Sequence, residues 1–188
     1  MHSLTNRKAR IAGRALALLA TLVACSGFAD RALAAGGGNA ANAKLCQQGG
    51  WAKTMNAAGK PFAGQDACVG YAAHDGTIYP LATLRVEACK DQPYDGLCVI
   101  TTGSGLAPGS VVTSTLSKNG SPVTFDWPIV QGDGTIAPTP TAHFELPCVA
   151  GNVYSAAASG TSADSLTSPK VAGIAIASNV VERTSACP

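Results

Sequence analysis

Six cysteines remain once the first 34 residues of the chain are set aside: Cys46, Cys68, Cys89, Cys98, Cys148 and Cys187. An even set in an exported chain reads as three disulfides, which restricts the chain to a small, covalently closed fold. Zinc is the rival partner for thiolates. The sequence holds no C-x-x-C pair, however, and the mature histidines, His74 and His143, lack neighbours at ligand spacing. Disulfides are therefore expected, with no metal and no cofactor.

The export premise comes from the N-terminus. Arg7, Lys8, Arg10 and Arg14 precede an apolar run from Ala15 to Val23. That run is short of the roughly 20 apolar residues a spanning helix needs, and it reads as the core of a signal peptide. Two processing sites follow. Ala32-Leu33-Ala34 has the small-x-small pattern of signal-peptidase cleavage, giving a signal peptide over 1–34. Leu22-Val23-Ala24-Cys25 resembles a bacterial lipobox, which would place a lipid on Cys25. Either route leads to a secreted or cell-envelope protein, with no membrane insertion after processing unless Cys25 is lipidated.

Removing the signal changes the charge. Five of the thirteen basic residues (the four above and Arg31) lie before Ala35, against one acid, Asp30. The mature chain therefore holds eight basic and ten acidic residues, a net charge of −2. Nucleic-acid binding needs clustered Lys and Arg, so it is not expected.

Four segments follow from composition. After 1–34, residues 35–45 (starting Ala35-Gly36-Gly37-Gly38-Asn39) read as a flexible leader with nothing to pack. Residues 46–77 form a cysteine-bracketed subregion in which Asp66 is placed to cap a short helix over Ala67 to Ala73. Residues 78–188 change to a period of two. The clearest strand is Val123-Thr124-Phe125-Asp126-Trp127-Pro128-Ile129. Here Val123, Phe125, Trp127 and Ile129 share one face, read as the core face, and Thr124 and Asp126 the other. Further runs are Leu97 to Thr102, Val111 to Leu116, Ala142 to Leu146, Val153 to Ala158 and Val171 to Ala177. Gly103-Ser104-Gly105, Pro108-Gly109, Asn119-Gly120 and Asp133-Gly134 separate strands as turns. Short strands at this spacing imply a sandwich or barrel.

Two resemblances bear on the fold. Cys46-Gln47-Gln48-Gly49-Gly50-Trp51, followed by Phe62-Ala63-Gly64-Gln65-Asp66-Ala67-Cys68-Val69, resembles a cysteine-bracketed segment that precedes β-sandwich regions in some exported bacterial proteins. That likeness implies a Cys46–Cys68 bridge with Trp51 packed on it. Gly103-Ser104-Gly105-Leu106-Ala107-Pro108-Gly109-Ser110 is similar to a turn of bacterial immunoglobulin-like and filamin-type modules, over roughly Leu81 to Ala177. The fold it implies is a mainly β, immunoglobulin-like antiparallel β-sandwich, with the small disulfide-closed subregion and its short helix ahead of it. Antibody domains bracket a tryptophan between two bridged cysteines, and that assignment is not forced here.

For the other four cysteines two schemes stand. If the last strand runs back beside the one starting at Val153, its end approaches Cys148, giving Cys148–Cys187, and Cys89–Cys98 closes a local loop. The alternative pairs Cys98 with Cys148 and Cys89 with Cys187.

No set of residues converges on a catalytic pattern. There is no G-x-S-x-G elbow, no P-loop and no EF-hand, and Gly103-x-Gly105 lacks both the third glycine and the helix of a dinucleotide loop. His74-Asp75 and His143/Glu145 are the local acid–base sets. His74 sits at a helix end as a capping residue. His143 and Glu145 alternate with Phe144 and Leu146 and are expected to face solvent. Asn119-Gly120-Ser121 fits a glycosylation sequon but reads first as a hairpin turn. The expectation is a non-catalytic secreted or envelope-associated module that acts in surface recognition, with an extracellular protein or glycan as partner, or as a structural component. Carbohydrate binding through Tyr79, Tyr94 or Trp51 is one alternative, and a small hydrolase using His74 or His143 is another. Intact mass of the protein from its source should give a chain starting at Ala35 and lighter by six hydrogens; a lipid on Cys25 would appear in the same spectrum.

Overall fold

A computed structural model describes residues 37–188. The signal-peptide and lipobox readings, Cys25 included, fall outside these residues. No described helix is long and apolar enough to cross a membrane. Asn42–Pro188 forms the compact body to which the rest of the description applies.

The leader differs from its expectation. Helix α1 (Gly37–Lys44) occupies it, as its run of Ala and Asn ending on Lys44 permits, the lysine opposing the negative end of the helix dipole. Ala43 and Leu45 then pack on a small core of Cys46, Cys68, Ala72 and Ile78, together with Trp51 and Phe62. The end of the leader is thus part of the cysteine-bracketed subregion, not a free tether. Helix α2 (Gln65–Ala73) begins before the expected start, so Asp66 lies within its first turn, where its charge favours the helix dipole, and does not cap it. Two short strands, β1 (Thr54–Met55) and β2 (Tyr79–Pro80), pair antiparallel beside it.

The remaining chain makes two antiparallel sheets around one apolar core. Strands β3 (Thr83–Ala88), β4 (Gly96–Ser104) and β7 (Ile136–Phe144) form one sheet in that order. The other runs β10 (Val181–Thr184), β8 (Val153–Thr161), β5 (Thr113–Lys118), β6 (Ser121–Asp126), with β9 (Ala175–Ala177) also on β8. The core is filled from both sheets, by Leu84, Val86, Leu97 and Val99 on one side and Leu116, Tyr154, Ala156 and Ala158 on the other. Inside it, the Thr101 and Ser114 hydroxyls hydrogen-bond across the sheets at 3.1 Å, which removes the cost of burying either alone. Gly96 is required where β4 meets β7: its φ is +151°, and a Cβ there would lie 2.1 Å from the His143 carbonyl oxygen.

Two register slips shape the second sheet. On β6, Thr124 lies opposite Leu116 and Pro122 opposite Ser117, which leaves Val123 as an extra residue. On the outer side of β8, Ala177 lies opposite Ser159 but Val181 opposite Ala156, so β9 and β10 are one edge strand broken by an extra residue. Both are β-bulges, in which an inserted residue reverses the side-chain alternation beyond it.

The bridges are Cys46–Cys68, Cys89–Cys98 and Cys148–Cys187, with Cα separations of 5.6, 5.3 and 5.8 Å. This is the first of the two schemes. Cys148–Cys187 ties the β7–β8 connection to the chain beyond β10 across 39 residues. Replacing both by alanine should lower the free energy of unfolding by about 2–4 kcal/mol. The Cys89/Cys98 pair, only 9 residues apart, should cost less, and urea titration of the two variants checks the order.

Candidate functional site

The phase reversal on β6 overturns the expected faces. Val123 packs on the core, but past the bulge Phe125 and Trp127 turn outward, 46% and 60% exposed, with Ile129 beyond them. Their rings are parallel, 8° between planes and 6.1 Å between centroids. Expected in the core, Trp127 instead stands in solvent. Thr124 and Asp126 turn inward, and the Thr141 hydroxyl donates to the Asp126 carboxylate at 3.3 Å. The same inversion holds on β7 and just past it. Phe144 and Leu146 are exposed, whereas His143 and Glu145, expected to face solvent, are partly buried.

The inward residues meet at one end of the two sheets. His143 Nδ1 lies 3.2 Å from the Thr124 hydroxyl and Nε2 3.3 Å from a Glu145 oxygen. The Lys118 ammonium donates to the other Glu145 oxygen. The Lys118 hydrogen bond is the leading cause that holds Glu145 below the ordinary carboxylate range, with the His143 bond next. A hydroxyl, an imidazole and a carboxylate thus stand in the order used for nucleophile activation. The hydroxyl belongs to a threonine on a bulged edge strand, and the carboxylate is already held by Lys118.

Next to this trio lies Asp95, almost fully buried in the turn before β4. It accepts from the Val149 N–H at 2.9 Å, the Tyr154 hydroxyl at 2.8 Å and the Asn152 amide at 3.2 Å. These bonds, the Val149 amide first, hold its carboxyl below the ordinary value of 3.8, against the opposing effect of burial. Burial, then the Asp95 carboxylate, push the Tyr154 phenol up to about 12. Asn119 continues the chain of contacts, its amide donating to Asn152 at 3.2 Å and its carbonyl accepting from the Val153 N–H. The sequon asparagine is therefore part of a hairpin turn with φ of 49°. Arg183 closes the end by donating to the carbonyls of Pro93 and Gly96. Asp95, Lys118, Thr124 and Tyr154 were not singled out from sequence, because their partners lie on other strands.

The other candidates do not join them. His74 ends α2, where Nδ1 lies 2.8 Å from the Gly70 carbonyl oxygen, as a capping residue would. Tyr79 is buried at 2% exposure, and Trp51 packs on the Cys46–Cys68 cluster. Only Tyr94 is well exposed, so the patch of Tyr79, Tyr94 and Trp51 does not form. Tyr94 instead borders an apolar hollow of about 350 Å³ with Phe144, Leu146 and Pro188. Neither Thr124 nor His143 lines it.

No known family model matches the chain, and no curated protein or solved structure is significantly similar to it.

The lowered Asp95 carboxyl sets the pH dependence. A group more acidic folded than unfolded contributes stability that is present above the unfolded value, near 3.8, and lost as the pH falls through the folded one. The melting temperature should be flat from neutral pH to about 5 and fall below about 4. Asp95→Asn should lower it at pH 7 by roughly 5–10 °C, because three donors lose a charged acceptor. Its decline below pH 4 should also be shallower, which calorimetry from pH 7 to 2.5 reads directly.

Proposed function

We propose that the protein is an exported, non-catalytic module of immunoglobulin-like type that recognises an extracellular partner through the outer face of its larger sheet. The strand order supports the immunoglobulin-like reading. Counting β9 and β10 as one, the first, second and fifth strands of the two-sheet part share one sheet, and the third, fourth, sixth and seventh the other. Connections repeatedly cross between the sheets, as in that fold. The bridges support an oxidising compartment outside the cytoplasm.

The observation that carries the functional reading is the exposed stripe of Phe125, Trp127, Ile129 and Val111. Registered beside it are Thr113, Thr115 and Ser117 on β5, then Ser155, Ala157 and Ser159 on β8. The alternation that buries Ser114, Leu116, Tyr154 and Ala156 turns these outward. None is charged, and Glu182 on β10 is the charged residue that borders them, opposite Ser155. An exposed apolar stripe on a soluble domain marks a contact site, and a Trp at its centre is the residue type that most often anchors one. A protein partner fits the stripe best, since Val111 and Ile129 extend it as an apolar surface.

A second reading is a small hydrolase, supported by the approach of His143 to both Thr124 and Glu145. The two separate cleanly. Wild-type protein should be retained by cell envelopes from its source, and Trp127→Ala should lose at least about ten-fold in affinity, the loss of an anchor of about 1.4 kcal/mol or more. Protease treatment of the envelopes should abolish retention, whereas loss on periodate treatment would indicate a glycan. Turnover of chromogenic esters by the wild type that vanishes in both Thr124→Ala and His143→Ala would replace the binding module with the hydrolase.

A further inference from the structure

The two sheets leave a pair of strand edges facing each other on the side away from β6 and β7. On β3, the Cys89 N–H donates to the Cys98 carbonyl. By the alternation of an antiparallel ladder, Glu87 and Arg85 are then bonded to β4, and Leu84 and Val86 turn their backbone groups to the far side. On β9, the Ser162 N–H donates to the Ile174 carbonyl and the Ser178 N–H to the Ala158 carbonyl. Ile176 is therefore bonded to β8, and Ala175 and Ala177 turn their N–H and C=O outward.

A groove of about 740 Å³ lies along these edges, walled by Ala82, Leu84, Ala175, Ile176 and Ala177 and ending at Asn179, with Ala58, Gly59 and Arg85 also lining it. At that end the second bulge places the Asn179 carboxamide on Val86. It accepts the Val86 N–H at 3.0 Å and donates to the Val86 carbonyl at 2.9 Å. This is the pair of bonds a neighbouring strand would make. A side-chain amide thus substitutes for one residue of an absent strand, and the next outward-facing residue, Leu84, has no such partner among the described residues.

We propose that this groove receives an extended segment of a partner polypeptide, which adds a strand to the β9 edge at the exposed Ala175 and Ala177. The occupant follows from the chemistry of the walls. Outward N–H and C=O groups at alternate residues are matched by a peptide backbone in extended form, and by no compact ligand. The small side chains of Ala82, Ala175 and Ala177 admit a backbone close to the edge, and they select small apolar residues at every second position of the guest. The site is separate from the Trp127 stripe, so the two are independent.

The test uses the whole mature protein. A phage-displayed library of random 12-residue peptides is panned against it, and enriched peptides are synthesised. They should perturb the Leu84, Ala175 and Ala177 amide resonances and leave Trp127 unaffected. N-methylation at alternate positions should weaken binding roughly five- to ten-fold in one phase and little in the other. Ala177→Pro, which removes an outward N–H without touching the β8 ladder, should weaken it similarly. The peptide-side scan decides the matter should that variant not fold. No enriched peptide, or N-methyl effects without alternation, would overturn the proposal. So would a dimer of the protein that Ala177→Pro dissolves, since the groove would then hold a second copy.

Discussion

The extra residue at Val123 decides what the larger sheet shows to solvent. A strand has a side-chain period of two, so one inserted residue exchanges the faces of everything after it. Val123 packs on the core, and beyond it Phe125 and Trp127 are delivered to the surface while Thr124 and Asp126 point inward. The exposed stripe and the Thr124–His143 contact are two consequences of that one slip. The bulge between β9 and β10 acts in the same way, turning Asn179 across to the opposite sheet.

The inward-turned polar groups then need partners, because an unpaired buried polar atom costs more than a hydrogen bond returns. Asp95 supplies them for Val149, Asn152 and Tyr154, and Glu145 for Lys118 and His143. No described buried side-chain polar atom is left without a partner. This end of the sheets is thus held by charge-assisted hydrogen bonds where the middle is held by Leu97, Val99 and Leu116. Cys148–Cys187 and Arg183 bind the same end covalently and through carbonyls. The polar cluster holds this end of the sheets, and the apolar stripe of Phe125, Trp127 and Ile129 is exposed on the outer face.

Much of the plan was legible in local pattern. The strands over Leu97 to Thr102 and Val153 to Ala158 lie within β4 and β8, since their alternation is unbroken and Leu97, Val99, Tyr154, Ala156 and Ala158 face one core. The Asn119-Gly120 turn was legible because positive φ suits that pair. The faces of β6 and β7 were not. Phe125 and Trp127, like Phe144 and Leu146, alternate with polar residues, and alternation alone gives two solutions with opposite faces. Local reasoning puts the aromatic residues inside, and the chain does the reverse. Tyr79 erred the other way: a tyrosine before a proline reads as a loop residue, yet β2 holds it against β1 and buries it.

By itself the sequence determined a chain of short antiparallel strands with six cysteines available for bridging, because period, turn chemistry and cysteine count are local or additive properties. It also determined that residues 35–188 carry a net charge of only −2. Only the tertiary structure decided which face of each strand met the core, which acid was buried and which edges stayed open. Those choices depend on register, and register is set by contacts between residues as far apart as Val86 and Asn179 or Asp95 and Tyr154. A one-residue slip changes no composition and little local propensity, yet it reverses the surface a partner would meet.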